Sequence, residues 1–131
     1  MKKILIITSH YYPEVSKKLL ISAEKTLRDK YKIKKINAPG SFEIPVLISK
    51  NIKRFDGFIA LGCVIKGKTP HFDYICKSIN YGLMKLSIES KKPIGNGILT
   101  CLNKNQAKQR VNKGSEAAKA VVNIITNEKK Q

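Results

Sequence analysis

Cysteine, acidic residues and long apolar runs are all scarce in this 131-residue sequence. The cysteines are Cys63, Cys76 and Cys101, an odd number without a Cys-x-x-Cys pair. This pattern argues against a disulfide framework and against a zinc site. Cys63 and Cys101 stand at the ends of apolar runs, where we expect them to pack as small buried thiols.

No apolar stretch reaches the roughly 18 residues that a membrane-spanning helix needs. The first apolar run covers only residues 4–7, and no small-residue cleavage site follows it, so it does not fit a signal peptide. We therefore expect a first β-strand at this point, in a cytoplasmic protein that has no membrane partner.

The sequence has 9 acidic residues against 26 lysines and arginines, which gives a formal net charge of +17. A basic chain can bind nucleic acid. Here, however, the lysines are spread over every segment, the aromatic residues do not alternate with them as a base-stacking surface requires, and no nucleic-acid-binding motif is present. Solvated, lysine-rich faces are the simpler interpretation. We expect no specific nucleic acid, although the charge would attract a small anionic substrate.

The apolar pattern alternates between short strand-like runs and amphipathic helix-like stretches. The predicted strands are residues 2–8, 32–38, 55–65 and 92–101, and the predicted helices are residues 13–31, 44–52, 71–90 and a last helix from Asn103 to about residue 125. This order predicts one parallel sheet with helices on both faces, in a single domain over residues 1–131. Such sheets bind ligands beyond the carboxyl ends of their strands, so we expect the four strand-to-helix turns to form a site.

The first two turns carry aromatic and polar candidates. Tyr11 and Tyr12 stand just before a helix and would either stack on a planar ligand ring or merely cover the edge of the core. In the second turn, a Pro-Gly pair bends the chain ahead of Glu43. That carboxylate would either stabilise the helix dipole or accept hydrogen bonds from a polyol.

The third turn lies in "GCVIKGKTPHFDY", residues 62–74. Thr69 is the predicted N-cap of the following helix and Pro70 its first residue. Gly67 allows the backbone to approach a ligand closely, and lysines on either side of it add positive charge. Free amides at a helix start together with two cations predict a phosphate site. The motif falls short of a P-loop, so a nucleoside triphosphate is not indicated.

His71 follows this candidate phosphate site directly. A histidine side chain titrates near neutral pH and suits proton transfer, although a lone histidine can also be structural or simply exposed. In the fourth turn, Asn103 is the predicted helix cap, with Gln106 returning the hydrogen bond. Arg110, further into that helix, would either bind a phosphate through its two-pronged guanidinium or lie on a solvated face.

Five motifs occur in one order along the chain: "APGSFEIP", "FDGFIALGCVIKGKTPHFDY", "GNGILT", "NQAKQR" and "NKGSEAA". They resemble the 6,7-dimethyl-8-ribityllumazine synthase family from about residue 3 to residue 125. The resemblance implies a flavodoxin-like three-layer α/β/α sandwich with a four-stranded parallel sheet. It also implies a transferase of riboflavin biosynthesis, which condenses 5-amino-6-ribitylaminouracil with 3,4-dihydroxy-2-butanone 4-phosphate and releases phosphate and water. No metal or organic cofactor is implied, and the implied assembly is a homopentamer with active sites between subunits.

The resemblance further implies that residues from all four turns bind the two substrates. The pyrimidine and its ribityl chain are assigned to Tyr11, which stacks on the ring, to Ser41, Phe42 and Glu43, which hold the ribityl chain, and to Cys63, Val64 and Ile65, whose backbone reads the ring edge. Phosphate binding and proton transfer are assigned to Lys68, Thr69, His71, Arg110 and Lys113, of which the last two reach in from the adjacent subunit.

Two departures from the family pattern stand out. Asn96 occupies the place where many relatives have an aromatic residue that covers the substrate from the neighbouring subunit, and it cannot stack in that way. The spacing from Arg110 to Lys113 is also several residues shorter than usual. The "GNG" variant, the short spacing and a first core strand at the N-terminus favour a free pentamer over a capsid. A module that binds a lumazine or flavin without turnover, and a basic nucleic-acid-binding protein, are the alternatives.

Overall fold

A computed structural model describes the backbone of residues 1–130 and the side chains of residues 1–128. Four strands form one parallel sheet in the order β2-β1-β3-β4. The strands are β1 (Lys3–Ser9), β2 (Lys32–Ala38), β3 (Gly57–Ile65) and β4 (Ile94–Cys101). This is the flavodoxin-like strand order, whose topological switch point lies between β1 and β3.

The burial of each strand follows from its place in the sheet. The central strands β1 and β3 are covered on both faces, which explains why both contain long uninterrupted apolar runs. Strand β2 lies at one edge of the sheet and is far less buried. Its lysines Lys32, Lys34 and Lys35 are exposed.

Helices cover both faces of the sheet, so the predicted three-layer α/β/α sandwich is confirmed. The helices are α1 (Pro13–Leu27), α2 (Ile44–Lys50), α3 (His71–Ser90), α4 (Lys104–Gln109) and α5 (Lys113–Lys130), and a short 3-10 turn (Ser41–Glu43) precedes α2. One apolar core lies between the sheet and α1, α4 and α5, and the other lies between the sheet and α2 and α3. Within residues 1–130, no helix is long and apolar enough to cross a membrane.

The single last helix predicted from the sequence is wrong, because the chain forms α4 and α5 with a break after Gln109. Tertiary contacts explain the break. Helix α4 buries Ala107 in the core, whereas α5 begins against α1, where the Ser115 N–H donates to the Ser22 hydroxyl at 2.8 Å. One straight helix would not meet both partners.

Helix ends also differ in detail from the predictions. Asn103 caps α4 by accepting the Gln106 N–H at 2.9 Å, but the Gln106 side chain accepts the N–H of Leu102 rather than that of Asn103. Helix α3 begins at His71, so Pro70 is its N-cap, and the prediction of Thr69 as cap is one residue early.

Candidate active site

A cleft of about 330 Å³ opens beyond the carboxyl ends of β1 and β3, at the topological switch point. The first three strand-to-helix turns and the start of α3 surround it. Its lining consists of Tyr11, Tyr12, Gly40, Ser41, Phe42, Cys63, Val64, Ile65, His71 and Ile75. The structure therefore brings together most of the site residues predicted in these turns.

The end of β3 offers unpaired backbone to this cleft. Strand β1 pairs with β3 only as far as Thr8 opposite Leu61, whereas β4 continues to pair with β3 as far as Ile65. Beyond Leu61, the β1 side of β3 therefore has no strand partner. Backbone N–H and C=O groups on that side are free to hydrogen-bond a ligand that enters the cleft.

Close packing at Gly62 brings the second turn against β3. A Cβ atom on Gly62 would lie 2.5 Å from the Ser41 Oγ, so only glycine lets Ser41 approach the strand this closely. Phe42 lines the cleft, but Glu43 does not. Glu43 lines a neighbouring apolar groove, and Phe42 contributes to both concave surfaces.

The third turn forms the exposed rim of the cleft. Lys68 and Thr69 do not line the cleft itself but directly precede His71, which does. The Thr69 hydroxyl accepts the His71 N–H at 3.4 Å. Within the described side chains, neither Lys66 nor Lys68 forms an ion pair with a carboxylate. Their charges are therefore available to an anion at the start of α3.

Cys63 is an unreactive thiol at the base of the cleft. Its side chain is only 5% exposed. Burial, with smaller contributions from the neighbouring Cys101 and from Glu14, raises the pKa of the Cys63 thiol to about 11. The thiol remains protonated near neutral pH, so it does not provide a nucleophile there.

Alkylation of the native protein tests this state of Cys63. A rise in pKa from 9.0 to about 11 lowers the thiolate fraction about 100-fold at pH 8. A more basic thiolate is also a stronger nucleophile, which offsets about half of this decrease in rate on a logarithmic scale. We therefore expect iodoacetamide to modify Cys63 at least about tenfold more slowly in the native protein than in the unfolded chain. Mass spectrometry of each cysteine-containing peptide would measure the rate, with the partly buried Cys76 as internal comparison. Equal rates in the native and unfolded protein would contradict the expected protection.

The fourth turn does not join this cleft within one chain. Asn96, Arg110 and Lys113 line a second cleft of about 440 Å³, which runs along the outer edge of β4 between α3 and the start of α5. The four turns therefore do not form one site within an isolated chain, and the approach of Arg110 and Lys113 from an adjacent subunit stays a prediction. Strand β4 lies on the far side of β3 from β1, which places Asn96 away from the first turn.

The second cleft has a polar, donor-rich lining. The Asn96 amide is held in place, since it donates to the Asn80 side chain at 3.0 Å and accepts the Ile98 N–H at 3.1 Å. Asn80 was not among the predicted site residues. It lies in the middle of α3, without a local motif, and only the fold brings it next to Asn96. Within residues 1–130, no cluster of histidine, cysteine or carboxylate side chains is arranged to hold a metal ion.

A model of the 6,7-dimethyl-8-ribityllumazine synthase family matches residues 1–129. The chain belongs to the 6,7-dimethyl-8-ribityllumazine synthase family. The resemblance inferred from the five motifs is thereby confirmed. Among family members, the 6,7-dimethyl-8-ribityllumazine synthase of Corynebacterium kroppenstedtii is 36% identical over 128 residues, which cover 92% of this chain and 80% of the relative.

Two further 6,7-dimethyl-8-ribityllumazine synthases are similar to a comparable degree. The Cutibacterium acnes protein is 37% identical over 133 residues, covering 95% of this chain and 80% of its own length. The protein of Ruthia magnifica subsp. Calyptogena magnifica is 36% identical over 140 residues, which cover 94% of this chain and 83% of the relative. Among solved structures, a de novo designed Rossmann fold protein aligns with a TM-score of 0.45 at 14% identity, over 88% of this chain and 99% of that one.

Proposed function

We propose that this chain catalyses the formation of 6,7-dimethyl-8-ribityllumazine from 5-amino-6-ribitylaminouracil and 3,4-dihydroxy-2-butanone 4-phosphate. The reaction releases phosphate and water and belongs to riboflavin biosynthesis. The observation that carries the proposal is the first cleft of this family member, because Tyr11, the end of β3 and His71 line that cleft together. The proposal treats residues 1–131 as one catalytic domain in the cytoplasm.

The pyrimidine would occupy the inner part of the first cleft. Tyr11 is 73% exposed at the cleft wall and offers a ring face for stacking. The unpaired backbone of residues 63–65 would hydrogen-bond the edge of the pyrimidine, which carries both donors and acceptors. Ser41, Phe42 and Glu43 follow the same wall towards the neighbouring groove, where an extended ribityl chain would lie.

The phosphate of the four-carbon substrate would bind at the rim. Lys68 and Thr69 stand at the start of α3, where the free N–H groups and the helix dipole favour an anion. The net charge of +17 adds long-range attraction for this substrate. Arg110 and Lys113 of the adjacent subunit would complete the phosphate site.

The chemistry then follows from the positions of these groups. The pyrimidine amine attacks the ketone to form an imine and release one water. Phosphate then leaves by elimination, and the resulting enol tautomerises to a carbonyl. The second amine attacks this carbonyl and closes the ring with loss of a second water. Each step transfers protons, and His71 stands in the cleft lining next to the proposed phosphate site. Holding two substrates together in the right orientation can contribute about 7–11 kcal/mol of the barrier reduction.

A homopentamer with active sites between subunits is part of the proposal. The separation of the two clefts supports it, because one chain alone does not bring Arg110 and Lys113 to His71. An apolar stripe on α3 also supports assembly. It consists of Tyr74, Tyr81, Met84 and Ile88, all exposed. Tyr74, Tyr81 and Ile88 recur every seven residues, so they share one face of the helix.

Substitution in this stripe tests the assembly. We expect Ile88→Glu to convert the pentamer to smaller species, because a buried unpaired carboxylate at a subunit interface costs more than the apolar contact that it replaces. Sedimentation velocity at matched protein concentrations would measure the effect. Lys18→Gln, on the exposed face of α1, controls for the same change of one unit in net charge. An Ile88→Glu protein that sediments as the unchanged protein does would remove the stripe from the interface.

A turnover assay tests the proposed reaction. The purified protein is mixed with the aminopyrimidine and the butanone phosphate, and lumazine fluorescence and released phosphate are followed together. We expect matched rates of both products, proportional to protein concentration and well above the uncatalysed rate. A folded protein that binds a lumazine but gives only the uncatalysed rate would instead be the binding module considered above.

A further inference from the structure

We infer that His10, which the proposed mechanism does not use, is a positioning residue that fixes the orientation of Tyr11. Its ring Nδ1 lies 2.5 Å from the hydroxyl oxygen of Ser16. Ser16 is fully buried in the first turns of α1, whereas His10 is partly buried at the end of β1. The hydrogen bond therefore ties the end of the strand to the helix that follows it. The inference rests on the proposed function, in which Tyr11 stacks on the pyrimidine.

The turn of residues 10–12 is hydrogen-bonded to Ser16 at both of its ends. At one end, the His10 ring bonds the Ser16 side chain. At the other end, the carbonyl oxygen of Tyr12 accepts the Ser16 N–H at 3.0 Å and the Val15 N–H at 3.0 Å. Tyr11 lies between these two hydrogen-bonded residues. The backbone on either side of the proposed stacking ring is thus held by hydrogen bonds to Ser16.

Tyr11 depends on this backbone for its orientation because most of its side chain is in solvent. Its ring packs edge-on against Tyr12, with the centroids 4.9 Å apart. Beside the turn, an exposed ion pair joins α4 to α1, in which the Lys104 ammonium lies 2.7 Å from the Glu14 carboxylate. Exposed ion pairs contribute little. The partly buried hydrogen bond between His10 and Ser16 is therefore the contact that we expect to matter.

The functional consequence is selective for one substrate. A mobile Tyr11 would have to be ordered again each time the pyrimidine binds, and that entropy cost would appear in the KM for the pyrimidine. The butanone phosphate binds at the other end of the cleft, so its KM should not change. The chemical step, which depends on His71, should not change either.

A fluorescent reporter tests the inference without any catalysis. The chain contains no tryptophan, so Tyr11→Trp places a single reporter at the turn. In this background we expect His10→Ala to lower the steady-state fluorescence anisotropy, because the turn is released locally and the indole moves more freely. Ser16→Ala should have the same effect, and the double variant should add little to either. His10→Asn should restore the anisotropy, since its side-chain amide reaches the place of Nδ1.

Thr26→Val is the structural control. It removes another partly buried side-chain hydrogen bond of α1, between the hydroxyls of Thr26 and Ser115 at 2.9 Å, far from the turn. We expect it to leave the reporter unchanged even if it lowers stability. Unchanged anisotropy in His10→Ala, or an equal change in Thr26→Val, would overturn the inference.

Steady-state kinetics in the Tyr11 background give the second readout. We expect His10→Ala to raise the KM for the pyrimidine about three- to tenfold, with the KM for the butanone phosphate and kcat within twofold of the unchanged protein. Equal rises in both KM values would overturn the positioning role. If the unchanged protein has no turnover, the proposed function fails, and the reporter experiment alone decides whether His10 orders the turn.

Discussion

Replacing His71 with asparagine is expected to lower kcat by about 10²–10⁴-fold, the usual contribution of a positioned general acid–base group. Asparagine keeps the size and polarity of the side chain but cannot take up and release a proton near neutral pH. His71 lines the cleft at the start of α3, directly after the proposed phosphate residues Lys68 and Thr69. It is therefore the histidine that can serve the imine, elimination and ring-closure steps.

Binding and chemistry must be measured separately for this variant. We expect the affinity for a product lumazine, measured by fluorescence titration, to stay within a few-fold of the unchanged protein, while single-turnover product formation shows the loss. Lys77→Gln, an exposed substitution on the next turn of α3, controls for general effects on the helix. A His71→Asn protein with unchanged kcat would show that protons move through solvent or another residue. A parallel loss of lumazine affinity would show a binding role instead.

Replacing Gly114 with alanine is expected to lower the free energy of unfolding by about 2 kcal/mol. A loss of stability is the unusual feature of this prediction, because replacing glycine with alanine normally stabilises a helix by up to about 1 kcal/mol. A Cβ atom at Gly114 would lie 2.1 Å from the carbonyl oxygen of Leu19 and 3.2 Å from the backbone nitrogen of Ala23. Both neighbours are backbone atoms of α1, so neither can rotate away, and α5 would have to move off α1.

Chemical denaturation at matched protein concentrations would measure this change, because the proposed assembly would add a concentration-dependent part to the apparent stability. Gly67→Ala is the matched control, since a Cβ atom there would meet nothing within 4 Å. We expect its midpoint to stay near that of the unchanged protein. A Gly114→Ala protein as stable as the control would show that the contact between α1 and α5 is looser than the structure describes.

The parts of the fold that the sequence predicts well are those that local pattern decides. Strand β3 combines an apolar run with flanking turn residues, and its placement leads directly to the first cleft. The break between α4 and α5 has no such local signal, because the residues from Asn103 to Ile125 suit one continuous helix. Contacts with α1, among them the hydrogen bond from Ser115 to Ser22, decide where α5 begins.

The same distinction applies to the candidate site. Residues at strand ends can be placed near one another from topology alone, which is why Tyr11, Ser41 and His71 meet as predicted. Asn80 is the contrasting case, since its contact with Asn96 depends on how α3 crosses back over β4. Sequence spacing carries no information about that contact. In the proposed assembly, the contact between the second cleft of one subunit and the first cleft of another depends on the surface where two chains meet, which no pattern within one sequence defines.

The lysines on the edge strand β2 suggest that part of the chain's positive charge opposes aggregation. A strand at the edge of a sheet offers a row of unpaired backbone groups that another copy can pair with, and exposed lysines oppose such pairing. Lys32, Lys34 and Lys35 are exposed within four residues of this edge, and because Lys35 pairs with Glu24 at 3.2 Å, Lys32 and Lys34 supply most of the positive charge there. Repulsion between copies keeps the edges apart, but high salt screens it, since the Debye length falls to about 3 Å at 1 M. Resistance to aggregation should therefore decline in concentrated salt or after lysine acetylation, even where the fold itself is unchanged.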